Sequence, residues 1–416
     1  MNPRWMKLAV LTILLLTVTL TSAQISKIEK QDYLTARGMF DDGMYELALK
    51  QLEEFAEKYP GSALLEEVHF LQAECYFYLG EYRSAVLKYQ KHQQLFPSGN
   101  LIDEALFRMG LSYYKNNQFN STITTLQNFL LDNPEHEMAA EAYYWMGESY
   151  YKLKQPEKAE AAYQQCIRKY PAADIKAYAY YSLGWIYQDT GRPEDALNVY
   201  QNLVREFPEH DLSLEAYFIQ GNIYYELNRF DEAIRITMEG LKKDTDNRFK
   251  PQGLFLIGEA TFARGEVQQA RDIYQKISRE FPYHEIYWET QFSLGWTHFV
   301  EEDYPRAFEI FQGVASSRRG DPVGIKGLFY AALSKKKLQE TQNADQLFNQ
   351  LVITYPQSDY ADDALYEQAG MAFDQNNYQE SLNLLNRLLD SFGDSDLRSL
   401  ALKMGADNWI GLQNYQ

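Results

Sequence analysis

The chain has 416 residues and carries 40 Lys and Arg against 58 Asp and Glu, a net charge of −18. So acidic a surface repels nucleic acid and anionic membrane, and argues against both as partners. A hydrophobic fraction of 45% with 15% aromatic residues is enough for a continuous core and excludes a disordered chain.

The first element in chain order reads as an export signal. Arg4 and Lys7 precede an apolar run from Leu8 to Leu20, and Thr21-Ser22-Ala23 supplies small residues for cleavage before Gln24. Residues 1–23 are therefore expected to be a signal peptide, the run being too short to span a membrane comfortably. The expected destination is the periplasm or the periphery of the outer membrane, with no membrane insertion after cleavage. No cysteine lies near the cleavage site, so no lipid anchor is expected.

From there the chain is periodic. Ten aromatic residues stand 37 positions apart: Tyr33, Phe70, Phe107, Tyr144, Tyr181, Phe218, Phe255, Phe292, Phe329 and Tyr366. A small residue follows three positions after each, from Ala36 to Ala369, and a second small column runs from Ala48 to Ser381. A proline closes most copies, as at Pro60, Pro97 and Pro134, with gaps at Thr245, Arg319 and Gly393. Within one copy Tyr143, Tyr144, Met146, Gly147, Tyr150 and Tyr151 recur at helical spacing. Lys154-Gln155-Pro156 then breaks the pattern, and Ala159, Tyr163 and Cys166 resume it. Each copy is thus expected to be two antiparallel helices, and residues 24–394 one elongated array of about ten copies. Residues 395–416, with Leu397, Leu400, Ala401, Met404 and Trp409 as an apolar stripe, are expected to form a capping helix or the start of an eleventh copy.

On these columns the chain resembles a tetratricopeptide-repeat array. That family's small residue in the first helix falls on the Ala36 column, its second-helix alanine on the Ala48 column, and its closing proline on the Pro60 series. The copy is three residues longer than the usual repeat of about 34. With phrases such as Lys58-Tyr59-Pro60-Gly61-Ser62, it is similar to bacterial envelope repeat proteins. Among these are the Tol-Pal-associated periplasmic division coordinator and the repeat lipoprotein of the outer-membrane assembly machinery. The resemblance implies an all-α fold, a right-handed α-solenoid whose first helices line a concave wall, and a non-enzymatic interaction scaffold.

No motif for catalysis or phosphate binding is present, and no cofactor or metal is expected. His136, His210 and His284 fall at one turn position in alternate copies, too far apart to share an ion, and Cys75 and Cys166 are too far apart for a disulfide. Candidate partner-binding residues come from two columns of the first helices. One opens them with Glu67, Glu104, Glu141, Glu215, Glu289 and Asp363. The other holds Trp185 and Trp296 where further copies have Glu74, Glu148 and Glu259. Helix-dipole stabilisation alone accounts for acids in a first turn; as a groove they would attract a basic or extended peptide segment of a partner protein. A second aromatic column, with Phe40, Phe77, Tyr114, Tyr151, Tyr225, Phe262, Phe299 and Phe373, flanks the buried stripe on its concave side. The alternative reading is a glycan- or peptidoglycan-binding module that stacks sugars on such aromatics.

Overall fold

A computed structural model describes residues 26–170 and 174–414, so the expected signal lies outside the described residues. All described secondary structure is helical, in 21 helices. The chain divides into two compact halves, residues 1–212 and 213–416. The first half holds α1 (Lys27–Asp41), α2 (Tyr45–Lys58), α3 (Leu65–Tyr78), α4 (Tyr82–Leu95), α5 (Ile102–Lys115), α6 (Phe119–Asp132), α7 (Ala139–Lys152), α8 (Pro156–Lys169), α9 (Lys176–Asp189) and α10 (Pro193–Glu206). At the division begins α11 (Asp211–Glu226). The second half continues with α12 (Phe230–Lys243), α13 (Lys250–Ala263), α14 (Val267–Glu280), α15 (Tyr287–Val300), α16 (Tyr304–Ser317), α17 (Pro322–Lys337), α18 (Thr341–Thr354), α19 (Ala361–Asp374), α20 (Tyr378–Ser391) and α21 (Arg398–Asn414). Odd helices are the first of each pair and even helices the second.

The two kinds of helix are buried differently. A second helix such as α2 buries one stripe, Ala48, Leu52 and Phe55, whereas α3 buries seven residues in succession except for one, from Val68 to Cys75. First helices are flanked on both sides, and they also touch the next first helix: α1 with α3, α5 with α7 and α7 with α9 in one half, α13 with α15, α15 with α17 and α19 with α21 in the other. Second helices show no such pairing of comparable extent. First helices therefore lie closest together and form the inner wall of each stack.

The small column sets how closely the two helices of a pair approach. A Cβ on Gly147 would lie 2.5 Å from the ring of Tyr163, and one on Gly258 would lie 2.6 Å from the ring of Tyr274. Glycine there makes room for a large second-helix side chain, and those rings are almost wholly buried.

The turn between the two helices of a pair repeats as well. Residues 43, 80, 117, 154, 191, 228, 265, 302, 339 and 376 all have positive φ. Four are glycine; the others include Asn117, Lys154, Asn228, Glu302 and Gln339. This is the left-handed residue that ends the first helix, and glycine adopts it without strain. A ring staple crosses the same turn: Phe40 with Tyr45, Phe77 with Tyr82, Tyr114 with Phe119 and Tyr225 with Phe230, at centroid distances of 5.4–5.6 Å.

Where the closing proline is absent at Thr245, a side chain ties the turn between pairs to the start of the next first helix. The buried carboxylate of Asp244 accepts the backbone N–H groups of Arg248 and Phe249 at 2.9 and 2.8 Å. His136, His210 and His284 are turn residues between pairs: Nδ1 of each accepts the backbone N–H two residues on, as Ser62 and Ser395 do with their hydroxyls. The last helix packs on α19 and α20 through Ala401, while Leu400 and Trp409 of its expected apolar stripe are exposed.

Candidate partner-binding site

The acidic members of the tryptophan column share a construction. Glu74, Glu148 and Glu259 each accept a hydrogen bond from the tyrosine 15 residues later, on the second helix: Tyr89, Tyr163 at 2.6 Å and Tyr274 at 2.6 Å. Burial, and then the charge of the glutamate, raise all three phenols. What differs is the residue 34 positions after each glutamate, on the next first helix. At Glu74 it is Arg108, whose Nε donates to Oε1 and whose Nη2 donates to Oε2, both at 2.6 Å, with the guanidinium 4.1 Å from the Phe77 ring centroid. The pair is nearly buried, and although burial opposes its charge, Glu74 holds the guanidinium above its usual value. At Glu148 and Glu259 the corresponding residues are Ser182 and Ser293, and a pocket opens at each.

In the first half the pocket has a volume of about 230 Å³ and is lined by Glu148, Tyr151 and Lys152 of α7, Tyr163 of α8, and Tyr181, Ser182 and Trp185 of α9. Ser182 Oγ donates to Glu148 Oε1 at 2.9 Å, the same oxygen that Tyr163 uses. Trp185 is 48% exposed. Tyr151, also exposed, lacks the ring staple, because the residue five positions on is Pro156.

In the second half the equivalent pocket, three copies on, measures about 400 Å³. Glu259, Phe262, Ala263, Tyr274, Phe292, Ser293 and Trp296 replace the first set position by position, and Lys326 joins them. Lys326 lies 4.2 Å from the Phe292 ring centroid, and burial lowers its ammonium while Glu259 opposes that shift. Trp296 is stacked on Phe299 at 5.2 Å and is only partly exposed.

The first-turn acids are more scattered. Glu67 accepts from Arg37 at 3.1 Å. Burial raises the carboxyls of Glu104 and Glu141; the charge of Glu74 adds to this at Glu104, while Arg108 offsets it at both. Glu74, Glu104 and Glu141 thus all feel one guanidinium, which Glu74 alone binds. Glu215 is partly buried on α11, and Glu289 is exposed in the first turn of α15. The structure therefore brings together Glu148 with Trp185, and Glu259 with Trp296, and ties Glu74 to Arg108. Arg108, Ser182, Ser293, Lys326 and the three tyrosines were not among the sequence candidates, although the recurring Glu-to-Tyr spacing of 15 is visible in the chain.

Cys75 and Cys166 are free and buried, and burial pushes both thiols up to about 12. No described group of three His, Cys, Asp or Glu residues is placed to hold a metal ion, and no described helix is long and apolar enough to cross a membrane.

Three tetratricopeptide-repeat family profiles match the chain: one at residues 138–203, one at 181–248, and one at 32–62, 104–136, 252–282, 326–358 and 363–395. Together they account for more than half of it. No curated protein matches. Similar solved structures include the C-terminal part of a TPR repeat-containing protein from Cytophaga hutchinsonii, 18% identical, covering 62% of this chain and 99% of that one with a TM-score of 0.49. A tetratricopeptide repeat protein from Parabacteroides merdae is 14% identical and covers 64% of this chain and 98% of that one, with a TM-score of 0.47. The pilF protein of Pseudomonas aeruginosa is 18% identical and covers 54% of this chain and 95% of that one, with a TM-score of 0.40.

Proposed function

The chain belongs to the tetratricopeptide-repeat family, and from that premise we propose that it is a non-enzymatic scaffold that holds a partner protein or extended peptide against its first helices. The observation that carries this reading is the pair of equivalent pockets on the inner walls, each combining a carboxylate with an indole and further aromatic rings. Aromatic anchors in partly enclosed pockets supply most of the affinity at protein interfaces, and surrounding charge steers encounter. Other features of the first helices fit packing better than recognition. The 37-residue aromatic column is largely buried, with Tyr181 and Phe292 the members that line the two pockets, and Glu74 is committed to Arg108.

We place this scaffold in the bacterial cell envelope, acting during envelope assembly, division or secretion. What supports the placement is the export signal read at residues 1–23 and the likeness to envelope repeat proteins. The partner-binding residues proposed are Trp185, Glu148, Trp296 and Glu259, with the exposed or partly exposed acids Glu67, Glu215 and Glu289 as steering charge.

The test is capture of partners from an envelope extract by the mature chain, alongside a chain with Trp185→Ala and Trp296→Ala. The proposal expects one or a few specific proteins that the double variant loses. Capture of nothing specific, or equal capture by both chains, counts against it. Titration with soluble cell-wall fragments separates the glycan reading: the scaffold reading expects unchanged tryptophan fluorescence.

A further inference from the structure

The same site occurs three times in this chain, and one copy carries its own ligand. At Glu74 the inner wall receives Arg108: two parallel N–H donations to the two carboxylate oxygens, the Tyr89 hydroxyl on Oε1, and an aromatic face under the guanidinium. Planar, bidentate and ring-stacked contact is what suits arginine better than lysine. At Glu259 the chain supplies Lys326, which faces the carboxylate inside the pocket without an ion pair. At Glu148 the carboxylate has no ion pair among the described residues, although Lys152 of the same helix lines the pocket: the side chain in the Arg108 position is Ser182, whose hydroxyl stands on Oε1 where Arg108 Nε stands on Glu74.

The rest of the Glu148 pocket keeps the arginine-binding parts. Tyr163 holds the carboxylate as Tyr89 does. Tyr151 replaces Phe77 as the aromatic face, and Pro156 leaves that ring unstapled. Leu111 of the first copy becomes the half-exposed Trp185, a second aromatic face at the mouth. Lys152 is exposed at the rim and forms no ion pair with Glu148.

We propose that the Glu148 pocket receives an arginine side chain of the partner, its guanidinium taking the place that Arg108 occupies beside Glu74. The inference rests on the partner-binding reading above and names the chemistry of what binds: a basic segment with an arginine at its anchor position.

The experiment uses the full mature chain and three synthetic probes, hexa-arginine, hexa-lysine and hexa-citrulline peptides, titrated by calorimetry at moderate salt, with tryptophan fluorescence compared between the wild-type chain and Trp185→Ala as a second readout. Hexa-arginine is expected to bind most tightly and hexa-citrulline not at all. Glu148→Gln, which keeps an acceptor for Tyr163, is expected to weaken hexa-arginine binding about tenfold or more. Ser182→Arg should do the same by filling the pocket from within, and should raise the melting temperature. Glu57→Gln, an exposed acid on a second helix, should leave binding unchanged. Equal loss from Glu57→Gln and Glu148→Gln would mean diffuse attraction to an acidic chain and overturn the proposal, as would wild-type binding by Glu148→Gln or no hexa-arginine binding. Should Ser182→Arg not fold, Trp185→Ala and Glu148→Gln carry the test. The two readings fail separately: a partner captured equally well by Glu148→Gln removes the arginine pocket and leaves the scaffold, whereas peptide binding without any captured partner does the reverse.

Discussion

At the scale of single residues, two kinds of glycine in this chain have opposite expected responses to alanine. Gly147 and Gly258 face the rings of Tyr163 and Tyr274, which an added Cβ would meet at 2.5 and 2.6 Å. Alanine there should cost about 1–3 kcal/mol, because a buried ring cannot retreat from a close-packed interior. Gly38 and Gly313 lie inside α1 and α16 with nothing within 4 Å, so alanine should stabilise by about 0.5–1 kcal/mol. Denaturant melts of the four variants test the split in sign. Asp363 supplies a pH-dependent case. Burial, and then Asp362 and Glu367, push its carboxyl up to about 6, so its ionised form is disfavoured in the fold. The cost is absent below the ordinary aspartate value and complete above about 6. Asp363→Asn should therefore stabilise by up to about 1 kcal/mol at pH 8, a figure discounted for partial exposure, and by almost nothing at about pH 3. Thermal melts at the two values check it.

Helix pairs were the most legible level of the sequence. Small, aromatic and proline columns located every pair, because each column answers to one steric demand that recurs in each copy. The left-handed residue was less visible, since glycine, asparagine, lysine, glutamate and glutamine share its positions and no residue type marks it. That mixture yields an expectation of its own. Lys154→Gly and Glu302→Gly replace residues at φ 57 and 63 with one that adopts them freely, and each should stabilise by about 1 kcal/mol. Asn117→Gly should gain less, since asparagine tolerates the conformation. Equilibrium unfolding of the three variants decides it, and destabilisation by Lys154→Gly would show that the turn does not limit stability.

At the scale of the whole molecule, periodicity announced a repeat array and concealed the differences between its copies. A column read down the sequence suggests one role for all its members, yet Glu74, Glu148 and Glu259 differ through partners 34 residues away on another helix. Trp185 and Trp296 stood out because they broke the column, whereas Ser182 and Ser293 are inconspicuous by composition and matter for what they leave open. The central claim is that a partner is held on the inner wall formed by the first helices. The most direct measurement is site-specific photo-crosslinking in intact cells, with a photoreactive aromatic residue placed at 185, at 296, or at Leu131, an 80% exposed position on a second helix. One defined partner crosslinked from 185 and 296 and not from 131 is the expected result. Crosslinks from 131 alone, or none from the inner wall, would contradict it.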